Sequence, residues 1–229
     1  MMKKLIVALA IAAIASVAQA ELLATWTASG VNNIAGNSYG QTGGSTYTFT
    51  MVAGGGWVAG GTPSAATYAG GGADAADAAA AYADGQYLYF TWDTDYTLSL
   101  DSVSALYTRS STGAQNAQWG TIISSTWSSI GTAITSITTV TPTTSTAPIT
   151  TTFSGVTGLE SGQLGVAFYG GTSSSSTAWV RLDSRPSTTP AVALSINGTM
   201  APVSVPEPAT MGLLGLGALA MVLRRKMSK

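Results

Sequence analysis

The sequence predicts an all-β protein: an antiparallel β-sandwich of jelly-roll type, with an N-terminal signal peptide and a C-terminal single apolar helix. Apolar and hydroxyl-bearing residues alternate with period two in segment after segment, as in Thr46-Tyr47-Thr48-Phe49-Thr50-Met51-Val52. That period sends alternate side chains to opposite faces of a strand. Clusters of glycine or asparagine punctuate the segments, at Asn32-Asn33, Gly54-Gly55-Gly56, Gly70-Gly71-Gly72, Gly170-Gly171 and Asn197-Gly198. Many short strands between such turns suit a sandwich. No repeat of fixed period is present, which argues against a propeller or solenoid.

The chain divides into residues 1–20, 21–203 and 204–229. Met1 to Lys4 form a basic start, 5–17 are apolar, and Ala18-Gln19-Ala20 is a small-residue cleavage site. This pattern is a signal peptide, with Ala18 and Ala20 marking cleavage and a mature chain that starts at Glu21. In the body, strands are expected at 22–28, 46–52 and the aromatic run 86–92. Strands at 96–100 and 103–109 follow, separated by a turn at Asp101-Ser102. Later strands are expected at 118–123, 132–137, 149–153, 164–169, 177–183 and 191–196. Residues 73–83 are alanine-rich and predict a short helix or a loop between sheets. The Ser/Thr-rich stretch 124–152, with Pro142 and Pro148, reads as weak strands with long hairpin loops, the alternative being a glycosylated loop.

Composition excludes several function classes. The body carries nine acids against three bases (Arg109, Arg181, Arg185), a net charge of −6. Nucleic acid and anionic lipid both need a basic surface, so neither is an expected partner. There is no histidine, which removes the commonest general base and zinc ligand. There is no cysteine, so the fold rests on its core alone. No cofactor is expected.

Candidate chemistry is sparse. Glycoside hydrolysis needs paired carboxylates, one of them desolvated. Of the two glutamates in the body, Glu21 is the expected new N-terminus and Glu160 sits in a turn-like Gly158–Gly162 stretch. A non-enzyme is therefore expected. Asp93 and Asp95, with Asp101 nearby, are weak calcium candidates, because aspartates in such turns more often bond their own backbone. Six tryptophans raise carbohydrate recognition by ring stacking. Trp57, among glycines, and Trp127, among serines, are the exposed candidates. Trp92 and Trp179, in apolar runs, are expected core anchors with paired indole N–H groups. Arg109 and Arg181 are expected to pair with Asp95, Asp101 or Asp183. Asn197-Gly198-Thr199 fits a glycosylation sequon but reads better as a turn. An ice-binding face needs a regular hydroxyl array, and the hydroxyl spacing here is irregular.

The C-terminus carries the most specific pattern. Val205-Pro206-Glu207-Pro208 is stiff and extended, because each proline fixes its own backbone and restricts the residue before it. An apolar run from Ala209 to Leu223 follows, then Arg224-Arg225-Lys226. As a helix the run spans about 22 Å, short for a bilayer core of ~30 Å. The basic cluster can reach the headgroups, and it stays cytoplasmic, leaving the body outside. These three elements in this order resemble the PEP-CTERM sorting signal of Gram-negative bacteria, a tail also labelled an ice-binding protein C-terminal domain. The resemblance implies an exosortase partner acting at or near Pro206, Glu207 and Pro208. It also implies transient anchoring in the inner membrane by the C-terminal helix, then surface display or release alongside exopolysaccharide. The segments 98–103, 109–113, 153–170 and 177–183, with Trp119 between, are similar to a group of uncharacterised surface proteins of this kind that look like galactose-binding or laminin-G-like jelly rolls. That resemblance implies a fold and no activity. The expected role is thus a non-catalytic surface or extracellular-matrix protein, the alternatives being a carbohydrate-binding module or, further off, a glycoside-active enzyme or an ice-binding protein.

Overall fold

The computed structural model describes residues 20–27, 38–41, 43–56, 58–59, 70–71, 74–137, 139, 147–173, 180–182 and 192–203. The elements are β1 (Glu21–Thr27), β2 (Ser38–Gly40), β3 (Gly43–Gly44), β4 (Thr50–Ala53), β5 (Val58–Ala59), β6 (Gly70–Gly71), α1 (Ala78–Ala83), β7 (Tyr87–Thr91), β8 (Tyr96–Ala105), β9 (Tyr107–Arg109), β10 (Asn116–Ile123), β11 (Thr126–Ser129), β12 (Ile149–Thr152), β13 (Leu164–Tyr169), β14 (Val180–Leu182) and β15 (Val192–Pro202). Two antiparallel sheets dominate. One has the order β12-β8-β15-β1-β3 and the other β11-β10-β13-β7-β4-β2. Pairs β5-β6 and β9-β14 stand apart.

Period two explains the layers. In β7, Leu88 and Phe90 are buried while Tyr87, Tyr89 and Thr91 are half-buried on the other face. The inward residues of both sheets form one cluster, with Trp26, Leu98, Val103 and Ile196 from the five-stranded sheet and Met51, Phe90, Trp119 and Phe168 from the six-stranded one. Phe90 joins the layers. Its ring lies 5.5 Å from Trp26, edge-on, and 5.7 Å from Trp119, stacked. Trp119, only 1 % exposed, donates its indole N–H to the Tyr107 hydroxyl at 3.2 Å. Burial therefore leaves neither polar group without a partner.

Several sequence expectations change. Asp101-Ser102 is no turn: β8 runs through it as one ten-residue strand. Its partner β15 steps from Asn197, opposite Ser102, to Gly198, opposite Leu100, so Asp101 sits at a bulge. Asn197-Gly198 is no turn either but lies inside β15. A side chain at Gly198 would collide with the Ser99 carbonyl oxygen, so close strand approach, and not turn chemistry, requires the glycine. Residues 132–137 make single bridging contacts in place of a strand, with Ile134 paired to Ala117. The stretch 124–152 holds β11 and β12, in line with weak strands, and the alanine-rich segment holds α1. Hydroxyls of Thr150, Ser104, Ser195 and Thr25 occupy paired positions across four strands, but the bulges in β1 and β15 break the array beyond that row.

Two predictions follow from the core. Trp119→Ala removes the central stack and should lower unfolding free energy by about 3–5 kcal/mol in urea titrations. Burial raises the Tyr107 phenol above its ordinary value, against a smaller lowering by the Trp119 bond. A folded-state value above the unfolded one means the stabilisation is complete below the unfolded value of 10.0 and is lost as pH climbs beyond it. Urea midpoints should therefore decline at alkaline pH. Tyr107→Phe should flatten that decline while costing about 1–3 kcal/mol at neutral pH, because the indole N–H is left unpaired.

Candidate functional site

Trp127 lies on the outer face of the six-stranded sheet, opposite Ile122 in the β10–β11 pairing. It is half-buried, not freely exposed. The sheet beneath it is flattened by glycines: a methyl at Gly120 would strike the indole ring, and one at Gly165 would sit 3.3 Å from its Cζ3. The indole N–H donates to the Ser129 hydroxyl at 3.2 Å.

Helix α1 packs on the same face. Asp77 caps it, its carboxylate accepting from the Ala80 amide at 2.9 Å. Ala75, Ala78 and Ala81 bury against Ala167 of β13. These side chains are small enough to let the helix approach the strand closely, which sets Tyr82 over the sheet. Tyr82 stacks on Trp127 at 5.7 Å and lies tilted against Tyr87 at 4.7 Å, and Tyr87, also tilted, lies 5.9 Å from Tyr89. Four aromatic rings thus form a continuous shelf on an outer sheet face. The Tyr87 phenol is raised by burial, then by Tyr82 and Tyr89, and Tyr169 is raised by burial, then by Asp77. Both remain neutral hydroxyls at physiological pH, able to donate and accept hydrogen bonds. The signal for the shelf was present in the sequence: Tyr87 and Tyr89, two apart in a strand, must share a face.

The other candidates are placed as follows. Trp57, Trp179 and the side chain of Arg181 lie outside the described residues, as do Ala18, Pro206, Glu207, Pro208, Arg224, Arg225 and Lys226. Trp92 is buried and its indole N–H donates to the Tyr96 carbonyl at 3.0 Å, as expected for a core anchor. Asp93 accepts from the Asp95 amide at 3.0 Å, the local turn bond. No group of three or more acidic, histidine or cysteine residues that could hold a metal occurs among the described residues. Glu160 is exposed, and its carboxylate accepts from the Gln163 amide group at 3.3 Å. In place of Asp95 or Asp101, the Arg109 guanidinium donates through Nε and Nη1 to the carbonyls of Ile137, Ser110 and Ser111 at 2.8, 3.0 and 2.9 Å, stapling two loops. Asp183, the third expected partner, lies outside the described residues.

The ends of the body are also placed. Glu21 opens β1 opposite Gly198, and β15 continues to Pro202 on that same side. Val203 then donates to the Asp95 carbonyl at 2.8 Å. Both ends of the body thus emerge from one end of the five-stranded sheet, about 13 Å apart along the strand direction at ~3.3 Å per residue.

Residues 204–226 match the family model of the PEP-CTERM protein-sorting motif. The match suggests an exported protein recognised by an exosortase and processed at the membrane. No curated protein and no solved structure is significantly similar to the chain.

The shelf makes a clear structural prediction. Gly120→Val forces Trp127 off the sheet and should loosen α1 with it. The expected cost is about 1–3 kcal/mol in chemical denaturation, with a shift in tryptophan emission. An unchanged emission spectrum would show that Trp127 does not depend on Gly120.

Proposed function

We propose that this PEP-CTERM-bearing chain is an exported, non-catalytic surface or extracellular-matrix protein associated with exopolysaccharide. The sorting motif at 204–226 is the observation that carries the reading. A signal peptide cleaved after Ala20 delivers the body across the inner membrane. The apolar helix from Ala209 to Leu223 holds it there until an exosortase acts near Pro206-Glu207-Pro208. The common exit of both body ends supports this order, because one end of the sandwich faces the membrane throughout. Successive strands that cross between the two sheets, as β7 to β8 and β12 to β13 do, support a jelly-roll connection. The exposed, locally bonded Glu160 and the lack of histidine support a non-catalytic role.

A second reading, a carbohydrate-binding module, is favoured by the shelf of Tyr82, Tyr87, Tyr89 and Trp127. Flat aromatic faces stack on the apolar faces of pyranose rings, and neutral phenols suit sugar hydroxyls.

One experiment tests the sorting and a second separates the two roles. Mass spectrometry of surface-exposed protein should find an N-terminus at Glu21 and no Arg224-Arg225-Lys226; an intact tail there would sink the sorting reading. On a glycan array, a module should bind, and Trp127→Ala or Tyr89→Ala should weaken binding about tenfold, ~1.4 kcal/mol. No binding at millimolar glycan would leave the structural role alone.

A further inference from the structure

The sandwich has four terminal strands, and three of them are protected. β3 has two residues, one of them Gly44 at φ +131°. β2 has three. β11 is flanked by α1 through the Tyr82–Trp127 stack. Short edges and covering helices are the ordinary devices against edge-to-edge pairing.

β12, at four residues, is longer than β2 or β3, and among the described residues no helix covers it and it pairs on one side only, with β8. Its sequence, Ile149-Thr150-Thr151-Thr152, is uncharged and rich in β-branched residues. The direction of its free groups can be worked out. Phe153 donates its amide to the Asp101 carbonyl at 2.8 Å. In an antiparallel ladder the amides of alternate residues turn the same way, so 149, 151 and 153 face β8. The amides and carbonyls of Thr150 and Thr152 face away, and among the described residues no main-chain group meets them. Beside this edge lies an open groove of about 320 Å³ between β12 and residues 132–135. Ile134, buried, lines its floor, and Ile149, 41 % exposed, stands at its margin.

We propose that β12 is a homotypic interface, pairing antiparallel with β12 of a second copy of this chain about a two-fold axis. Charge selects the place, and the symmetry of the edge the occupant. The body carries a net −6, which opposes association wherever acids meet. The groove and edge residues, 132–135 and 149–152, contain no ionisable group. An antiparallel edge is self-complementary: Thr150 and Thr152 offer two donors and two acceptors, and a second copy returns the same set. Pairing joins two five-stranded sheets into one of ten, and it places Ile149 of both copies at the seam. This interface is independent of the aromatic shelf, which lies on the other sheet.

The test is the mass of the full-length chain in mild detergent, followed by sedimentation up to about 100 µM, a range suited to a small interface. A concentration-dependent dimer is expected. Thr152→Pro removes an outward amide and, unlike a change at Thr150, whose hydroxyl meets Ser104 of β8, no bond to β8, so it should leave the circular dichroism spectrum unchanged and weaken dimerisation at least tenfold. Thr152→Lys, which puts a charge on the edge without touching the backbone, should do the same and serves if the proline variant fails to fold. A wild-type chain that stays monomeric at the highest concentration overturns the proposal. So does a folded variant that dimerises as strongly as wild type.

Discussion

The contact of Phe90 with Trp26 on one side and Trp119 on the other is the constraint on which the rest depends. A sandwich without disulfides must hold its layers together through side chains alone, and large rings do this with the most buried area per residue. Phe90 belongs to β7, a central strand of the six-stranded sheet. Fixing its inward side fixes its outward side as well, because the pleat alternates. Leu88 and Phe90 face the core, so Tyr87 and Tyr89 must face out, and the helix before β7 delivers Tyr82 beside them. The shelf is therefore a consequence of how the two layers are locked.

Glycine placement completes that arrangement. An indole lying flat on a sheet needs strands with no side chain beneath it. Gly120 and Gly165, directly paired in the β10–β13 ladder, provide a smooth floor two strands wide. Glycine inside a strand ordinarily weakens it. Here the ring that covers both positions restores the buried contact that the missing side chains give up.

Much of this architecture was legible in the sequence. Alternation located β7, β13 and most of β10, and the alanine run located α1. Two of the failures share one physical cause. Asp101-Ser102 and Asn197-Gly198 carry turn-forming chemistry, yet each lies in a long strand. The two positions face one another across β8 and β15, and a single bulge absorbs both. Local preferences of a few tenths to about 1 kcal/mol yield to a ladder nine pairs long. Pairing of this kind is invisible to a reading that moves along one segment at a time. Arg109 shows a related effect: a scarce base suggested an acidic partner, but backbone carbonyls brought close by two loops take its Nε and Nη1 hydrogens, in place of Asp95 or Asp101. The shelf was missed because tryptophan alone was weighed as a stacking residue, although the Tyr-x-Tyr spacing in β7 already placed two rings on one face.

The same long strand bears on how the chain is handled at its C-terminus. β15 extends past the start of β1 to Pro202, still paired with Tyr96, and Val203 makes one further bond to Asp95. That bond is the last main-chain contact of the body among the described residues. The sorting segment begins at the next residue, 204. Cleavage near Pro206-Glu207-Pro208 would therefore sever the chain just beyond the last paired position, where prolines already deny amides to any further ladder. Every hydrogen bond and core residue of the sandwich among the described residues lies before that point. On the proposed reading, the anchor is therefore joined where its removal spares the described body, as a sorting signal that acts after export requires.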